Sequence, residues 1–427
     1  MLNRTTAAAA AALLVALTAA CQNATPQPTA TPPTAKPSGT PTPVSAGRTP
    51  PATTTGAREA NPGGLSDAQM VGQLFMVYVY GSSAQSATPA QRAANIALYG
   101  VPTAADVLAR WHPGGIILID HNNLDAQRPA LSTGNVGAPS QITALTAGLQ
   151  KAALADTGYP LLIATDQEGG RVQRISAGVT PRPAQQDLAH TSPTALTCSY
   201  YGLGRQLRAL GVNQDFAPDA DVVTTSTGVI GDRSFGPEPL VDATDVQAAV
   251  TGLQDAGVLA TLKHWPGHGS TTTDSHARLA VIYQSALTWK THDRMPFAQS
   301  APIAAAIMVG HLAFPALDPT GQAATFSPTL VTGLLRGQLG FVGLIITDSL
   351  WMAPARAPGS PAQVALLALA AGNDILLEPT DLAASEAALQ TALRTDPTQR
   401  ARIQAAARRV LAAKEKLNRP PVPHPGC

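Results

Sequence analysis

The sequence predicts an α/β chain folded as a single (β/α)8 TIM barrel, and three observations predict it. Eight short apolar, β-rich runs recur along the chain; longer segments of helical periodicity separate them; and most of the runs end on ionisable side chains. The runs lie at 74–79, 115–119, 161–164, 211–217, 258–262, 306–309, 344–346 and 374–377, with helical pattern between them at 139–155, 243–256, 327–338 and 362–371. Strands that alternate with helices build βαβ units and hence a parallel sheet. Eight units over about 350 residues match a barrel with a few long loops. The alternative, a doubly wound open sheet, requires a glycine-rich phosphate fingerprint after the first strand, and Val79-Tyr80-Gly81-Ser82-Ser83 is not one.

The polar residues closing the runs are Asp120, Asp166, Asp215 with Asp219, Lys263-His264, His311, Asp348 and Glu378. A single Asp after a strand is usually a helix cap. Many such groups at equivalent positions are expected to converge on the carboxyl-terminal mouth of a barrel. That convergence points to an enzyme acting on a polar, hydroxyl-rich substrate.

Composition narrows the classes further. Lys and Arg total 28 against 27 Asp and Glu, a net charge of +1 that offers no footprint for nucleic acid. Three cysteines exclude a disulfide-built scaffold or a multi-cysteine metal site.

The amino-terminal stretch is read as export machinery. Residues 1–20 form a signal peptide, with Arg4 as the positive region, an apolar stretch at 7–17 and Thr18-Ala19-Ala20 before a cleavage point. Cys21 sits where bacterial lipoproteins carry a lipidated cysteine, so a lipid anchor on the extracytoplasmic face of the cell membrane is expected, with plain secretion as the alternative. Residues 21–64 are rich in Pro, Thr, Ala, Ser and Gly, too poor in apolar surface to offset the entropy of ordering, and read as a disordered tether. The catalytic domain is placed at 65–420 and a tail at 421–427. In an oxidising compartment Cys198 and Cys427 are candidates for a disulfide, or for one buried and one terminal thiol.

Three clusters carry chemistry. Lys263-His264-Trp265-Pro266-Gly267-His268-Gly269 precedes Asp274-Ser275-His276. The i,i+4 spacing of His264 and His268 would suit a metal on a helix, but Pro266, Gly267 and Gly269 oppose a helix there, and no metal is expected. Asp274 can orient His276, fix its tautomer and stabilise its imidazolium. Asp348 ends a run apolar enough to be buried on both faces, which delivers a carboxylate rigidly. Asp166-Gln167-Glu168-Gly169-Gly170-Arg171-Val172-Gln173-Arg174 combines acceptors for vicinal hydroxyls, glycines that let a ligand approach the backbone, and two guanidinium groups. Two groups flanking a glycosidic bond, a nucleophile and an acid/base, suffice for retaining glycoside hydrolysis. On chemistry alone Glu168 is also a candidate acid.

In order along the chain, these motifs, together with Gly72-Gln73-Leu74, Pro113-Gly114-Gly115, Asp215-Phe216-Ala217-Pro218, Gly231-Asp232-Arg233-Ser234-Phe235 and Ala371-Gly372-Asn373-Asp374, resemble glycoside hydrolase family 3. The resemblance runs from about residue 70 to 379 and is to the single-domain bacterial β-N-acetylhexosaminidase branch. It implies a TIM barrel and a retaining mechanism with Asp348 as nucleophile and His276 as acid/base, oriented by Asp274. It implies that Asp166, Arg174, Arg233, Lys263 and His264 hold the −1 sugar, and that a mobile loop carries His276. No cofactor is implied. The expected activity is exo-β-N-acetylglucosaminidase on GlcNAc-MurNAc fragments of peptidoglycan, by a monomer. The rivals are a phosphorylase or β-glucosidase of the same family, a non-catalytic muropeptide-binding lipoprotein, and a metallohydrolase. Ser270, Ser349, Trp351 and the Pro-rich 353–361 depart from the family pattern without removing a proposed catalytic group.

Overall fold

The structure is a computed structural model that describes residues 61–125, 127–128, 130–189, 191–224 and 227–427. The signal peptide, Cys21 and the linker up to residue 60 lie outside the described residues. Among the described residues no helix is long and apolar enough to cross a membrane.

Eight parallel strands build the sheet: β1 (Phe75–Val77), β2 (Gly115–Ile117), β3 (Leu162–Thr165), β4 (Gln214–Asp215), β5 (Leu259–Trp265), β6 (Ala306–Val309), β7 (Leu344–Thr347) and β8 (Leu376–Leu377). Their order is β7-β6-β5-β4-β3-β2-β1-β8, with every neighbouring pair parallel. A parallel bridge between Ile346 and Ile375 and a 3.0 Å bond from the Thr347 N–H to the Ile375 carbonyl join β7 to the β8 end, so the ring closes. Each of the eight predicted runs contains or overlaps one of these strands.

Side chains alternate between the two faces of the closed sheet. Met76, Leu162, Ala306, Met308, Leu344 and Ile346 pack together inside the barrel, while Phe75, Val77, Ile163, Ile307, Val309 and Ile345 pack outward into the larger cluster shared with the helices. Period-2 partition of this kind requires two separate cores, one on each face of the sheet. A fully buried aliphatic side chain contributes about 1.5–3 kcal/mol, so a one-residue register slip on any strand is strongly disfavoured.

Sequence detail explains the element ends. Thr88-Pro89, Ser192-Pro193, Ser360-Pro361 and Asp396-Pro397 each place a side-chain acceptor at the N-cap and proline at the first helical position, where its missing N–H costs nothing. Gly114 and Gly115 open β2 because a Cβ at Gly114 would lie 2.1 Å from the Gln73 carbonyl, and one at Gly115 2.4 Å from the Met76 side chain. The short Pro-Gly-Gly motif is therefore a close-packing requirement between β1 and β2.

Both ends of the described body are tied down by hydrogen bonds. The ordered body already includes Asn61 to Gly64: Asn61 Nδ2 donates to the Leu65 carbonyl (3.1 Å) and to Asp67 (2.8 Å). Residues 62–64 form a short turn, and Asn61 ties its start to residues on the far side of position 64. At the other end the tail at 421–427 is anchored. Val422 N–H donates to the Asp255 carbonyl, His424 Nε2 lies 2.6 Å from Asp255, and Cys427 forms a disulfide with Cys198.

Candidate active site

The strand ends bring their polar side chains around a cavity of about 460 Å³. Asp166, Arg174, Arg233, Lys263, His264, His276 and Asp348 all line it. Asp274 stands behind His276. The convergence predicted for every strand end is only partly realised. Asp166, Lys263, His264, Asp348 and Glu378 face the cavity, whereas Asp120, Asp215, Asp219 and His311 are not among its lining residues. Asp120 instead caps its own loop, accepting from Ser132 Oγ and lying 2.9 Å from His121.

Asp348 follows β7 directly, and its backbone N–H donates to the Val309 carbonyl of β6 at 3.0 Å. Its Oδ1 accepts the Ser349 N–H at 2.7 Å. Burial works against the anion, but the nearby imidazoles of His264, His311 and His276 and the Ser349 N–H outweigh it and hold the carboxyl below its usual range. The group is therefore an ionised carboxylate with fixed aim, and it caps no helix. His311 fastens the same turn from beneath: Nε2 donates to the Ser349 carbonyl (3.0 Å), and Nδ1 lies 2.8 Å from Thr325 Oγ1.

His276 is half-exposed at the opening. Its Nδ1 lies 2.7 Å from Asp274 Oδ1, and its backbone N–H donates to the same oxygen at 2.9 Å. Burial of Asp274 is slight, and these bonds from His276 keep its carboxyl below the usual value. The pairing directs Nε2 of His276 away from the carboxylate. Ser275, between the two, bonds buried His268 Nε2 at 2.8 Å, which seats the turn.

The third cluster is an ion network. Glu168 is buried and takes both prongs of the Arg233 guanidinium, at 2.7 and 2.8 Å, with Lys263 Nζ at 2.6 Å on Oε1. Burial opposes its charge, but Arg233 and Lys263 prevail and hold it far below the usual carboxylate range. A carboxylate so neutralised has no proton to give, so Glu168 positions cations rather than acting as an acid. Lys263 also reaches Asp166 Oδ1 at 3.0 Å, and Arg174 Nε lies 3.5 Å from Asp166 Oδ2. Gly169 and Gly170 do not make room for a ligand. A Cβ on Gly169, at φ +112°, would meet the Pro183 carbonyl at 2.3 Å, so the glycine fits the hairpin against its own chain.

The residue that sequence reasoning passed over is Asp221. Its carboxylate accepts the backbone N–H of His264 (3.0 Å) and of His268 (2.6 Å), and Oδ2 takes His264 Nδ1 at 2.7 Å. Burial pushes the His264 ring down to about 4, so it is neutral, and with Nδ1 donating to Asp221 its Nε2 is an acceptor. The repeat Asp219-Ala220-Asp221 after the fourth run was the available signal. Asp219, Asp221 and His264 also form the one group among the described residues whose atoms lie close enough, within 4.8 Å, to share a cation. Asp221 already accepts from three N–H groups, and the Arg233 guanidinium lies 3.5 Å from Asp219 Oδ2. His264 lies on β5 and His268 in the irregular segment after it, not on one helix face.

The departures have local partners. Ser270 Oγ donates to buried Asp293 (3.2 Å), Ser349 Oγ donates to Glu378 (2.6 Å), and Trp351 N–H reaches Ser349 Oγ (3.4 Å).

Residues 70–413 match the glycosyl hydrolase family 3 N terminal domain. A β-hexosaminidase of Nitrosomonas eutropha is 35% identical over 285 residues, 64% of this chain and 76% of that protein. One from Pseudomonas aeruginosa is 36% identical over 306 residues, covering 71% and 86% respectively. Among solved structures, a family 3 β-N-acetylglucosaminidase from Paenibacillus sp. str. FPU-7 superposes with a TM-score of 0.72 at 33% identity, over 83% of this chain and 63% of that one. A β-N-acetylhexosaminidase from Beutenbergia cavernae gives 0.70 at 31% identity, over 82% and 99%. With a closed barrel, strand-end carboxylates around one cavity and a match over most of its length, this chain belongs to glycosyl hydrolase family 3 and is a glycoside hydrolase.

Proposed function

We propose that the protein is a retaining exo-β-N-acetylglucosaminidase that removes terminal β-linked GlcNAc from peptidoglycan fragments. The observation that carries this reading is the shared cavity: an ionised, rigidly held Asp348 and a carboxylate-oriented His276 open onto the same space.

In the first step an Asp348 oxygen attacks the anomeric carbon. The bond to the leaving oxygen breaks as His276 Nε2 delivers its proton, and a glycosyl ester remains. In the second step His276 takes a proton from water, the hydroxide oxygen bonds to the anomeric carbon, and the Asp348 carboxylate leaves. Asp274 stabilises the imidazolium in each half of the cycle. Asp166, Arg174, Lys263, His264 and Arg233 hold the −1 sugar: the Asp166 carboxylate and the His264 ring nitrogen accept from hydroxyls, and the two guanidinium groups and the ammonium donate to them. No cofactor takes part. A histidine acid/base places less negative charge beside a leaving sugar that bears a carboxylate, which suits the lactyl group of MurNAc. The β-hexosaminidase names of the curated relatives support the glycone. The export signal and Cys21 support a place on the outer side of the cell membrane, where wall fragments are released.

Hydrolysis of aryl β-GlcNAc measured beside aryl β-glucoside, with and without phosphate, tests the reading. We expect GlcNAc-specific hydrolysis that phosphate leaves unchanged and that Asp348→Ala abolishes. Glucose preference, a glycosyl phosphate product, or sugar binding without turnover would each replace it, and a wild-type rate in Asp348→Ala would remove the nucleophile.

A further inference from the structure

The net charge of +1 conceals an asymmetry. Between residues 394 and 419 the chain carries eight Lys and Arg against two acidic residues, which leaves the rest of the chain with an acidic excess. Most of these cations lie on the final helix, Pro397–Lys416. One face of that helix is apolar and closes the base of the barrel. Val410 and Ala413 join the core inside the sheet, and Ile403, Ala407 and Leu411 join the core outside it. Buried Lys414 reaches Gln73, just before β1, and Arg409 reaches Asp374, just before β8, at 2.8 Å. Both anchors stand at the amino-terminal ends of strands, so the helix lies opposite the mouth that holds Asp348 and His276.

The charge of the helix is on its outer face. Arg402, Arg409 and Lys416 recur at intervals of seven and so share one side, and Arg419 stands in the turn that follows. Arg402, Lys416 and Arg419 are exposed, and among the described residues none of the three has a carboxylate partner. The two acidic residues do little to cancel them. Asp396 accepts the N–H groups of Thr398 and Gln399 at the start of the helix, and Glu415 is a single exposed carboxylate. The turn that enters β7 is on the same side of the barrel and presents Val342, 83% exposed. Unpaired cations along a helix, beside an exposed aliphatic group, complement an anionic lipid surface.

The entry of the chain into the barrel points to the same partner. Gly63 packs on this helix so closely that a Cβ there would fall 2.8 Å from Leu411 Cδ1. Residues 21–60, outside the described residues, therefore join the body at its base, beside the basic face.

We propose that the outer face of the final helix, with Arg402, Lys416 and Arg419, is a docking surface for anionic phospholipid headgroups. It seats the barrel base-down on the membrane and turns the mouth away from it. The inference goes beyond the glycosidase reading and rests on the membrane location proposed with it, not on the reaction.

The test uses the chain from residue 21 with Cys21→Ser, so that no acyl chain attaches. Co-sedimentation compares vesicles of phosphatidylglycerol and phosphatidylcholine in equal parts with vesicles of phosphatidylcholine alone. The anionic vesicles should bind the protein, the neutral ones should not, and added salt should weaken the binding steeply. Each Lys or Arg near headgroups is worth about fivefold, so the triple variant Arg402→Gln, Lys416→Gln, Arg419→Gln should bind roughly 100-fold more weakly. A control that removes three exposed cations elsewhere, Arg92→Gln, Arg278→Gln, Lys290→Gln, should bind as its parent does. No binding to the anionic vesicles, equal binding to neutral ones, or equal losses in both triple variants overturns the proposal. Capture by soluble polyphosphate with none by vesicles overturns it too. Thermal unfolding should not change in the first triple variant; if it does not fold, the three single changes, about fivefold each, take its place. Hydrolysis of aryl β-GlcNAc should run equally fast on and off the vesicles, and a fall would put the mouth on the lipid and overturn the docked orientation. Absence of hydrolysis would remove the proposed function and leave the vesicle measurement to decide on the docking face.

Discussion

The backbone N–H of Ala353 donates to the carbonyl oxygen of His276 at 3.0 Å. This bond crosses from the turn after Asp348 to the loop that carries the imidazole, so the two halves of the proposed catalytic pair share a main-chain contact. Ala353 opens a short helix, Ala353–Arg356, and a proline there keeps the helical φ while removing the N–H. Ala353→Pro should lower kcat by roughly fivefold, the worth of one such bond, with the melting temperature little changed. An unaltered kcat would mean that the loop is positioned by Ser275 and His268 alone.

Asp274→Ala removes the group that orients His276 and should slow both chemical steps by roughly 10²-fold with an ordinary phenol leaving group. With a leaving group acidic enough to depart unaided, only the second step should remain slow. The glycosyl-enzyme would then accumulate and give a pre-steady-state burst. Absence of that burst, with slow turnover of both substrates, would count against a role in the second step.

Glu168→Gln separates a positioning carboxylate from an acid. Removing the charge leaves Arg233 and Lys263 short of a buried partner, which should cost about 3 kcal/mol in unfolding free energy along with activity. Because the folded carboxyl lies far below its unfolded value, its contribution is present above about pH 4.5 and is lost only in stronger acid. Full stability with activity restored by added azide would instead identify Glu168 as the acid.

Lys414 is buried in the final helix with Gln73 Oε1, 2.5 Å away, accepting from its Nζ. Burial pushes its ammonium down to about 7. Between that value and the ordinary one near 10.4, the unfolded chain binds the extra proton, so stability rises with pH. The gain approaches about 1.4 kcal/mol per pH unit within that window. Chemical denaturation from pH 7 to 9.5 should show this slope in wild type and lose it in Lys414→Met. Equal slopes would show that the ammonium keeps its normal affinity.

Much of the architecture needed only local pattern. Period-2 apolar runs at 306–309 and 344–346 and helical segments such as 362–371 reappear as β6, β7 and their neighbours, because burial of alternating faces is a property of short stretches of chain. The ordered string from Asp166 to Asp348 likewise carried the family and the residues that gather at the mouth. What needed the folded chain was the direction and partnership of each polar group. Glu168 looked like an acid until Arg233, 65 residues away, and Lys263 were seen to neutralise it. Asp215 ends β4 yet points away from the cavity, since one residue of register turns a side chain to the opposite face, and Asp120 lies in the loop beyond β2, where Ser132 and His121 hold it. Asp221 and Glu378 acquire meaning only from what stands opposite them. Charge state and hydrogen-bond completion depend on neighbours distant in sequence, and those neighbours exist only once the barrel has closed.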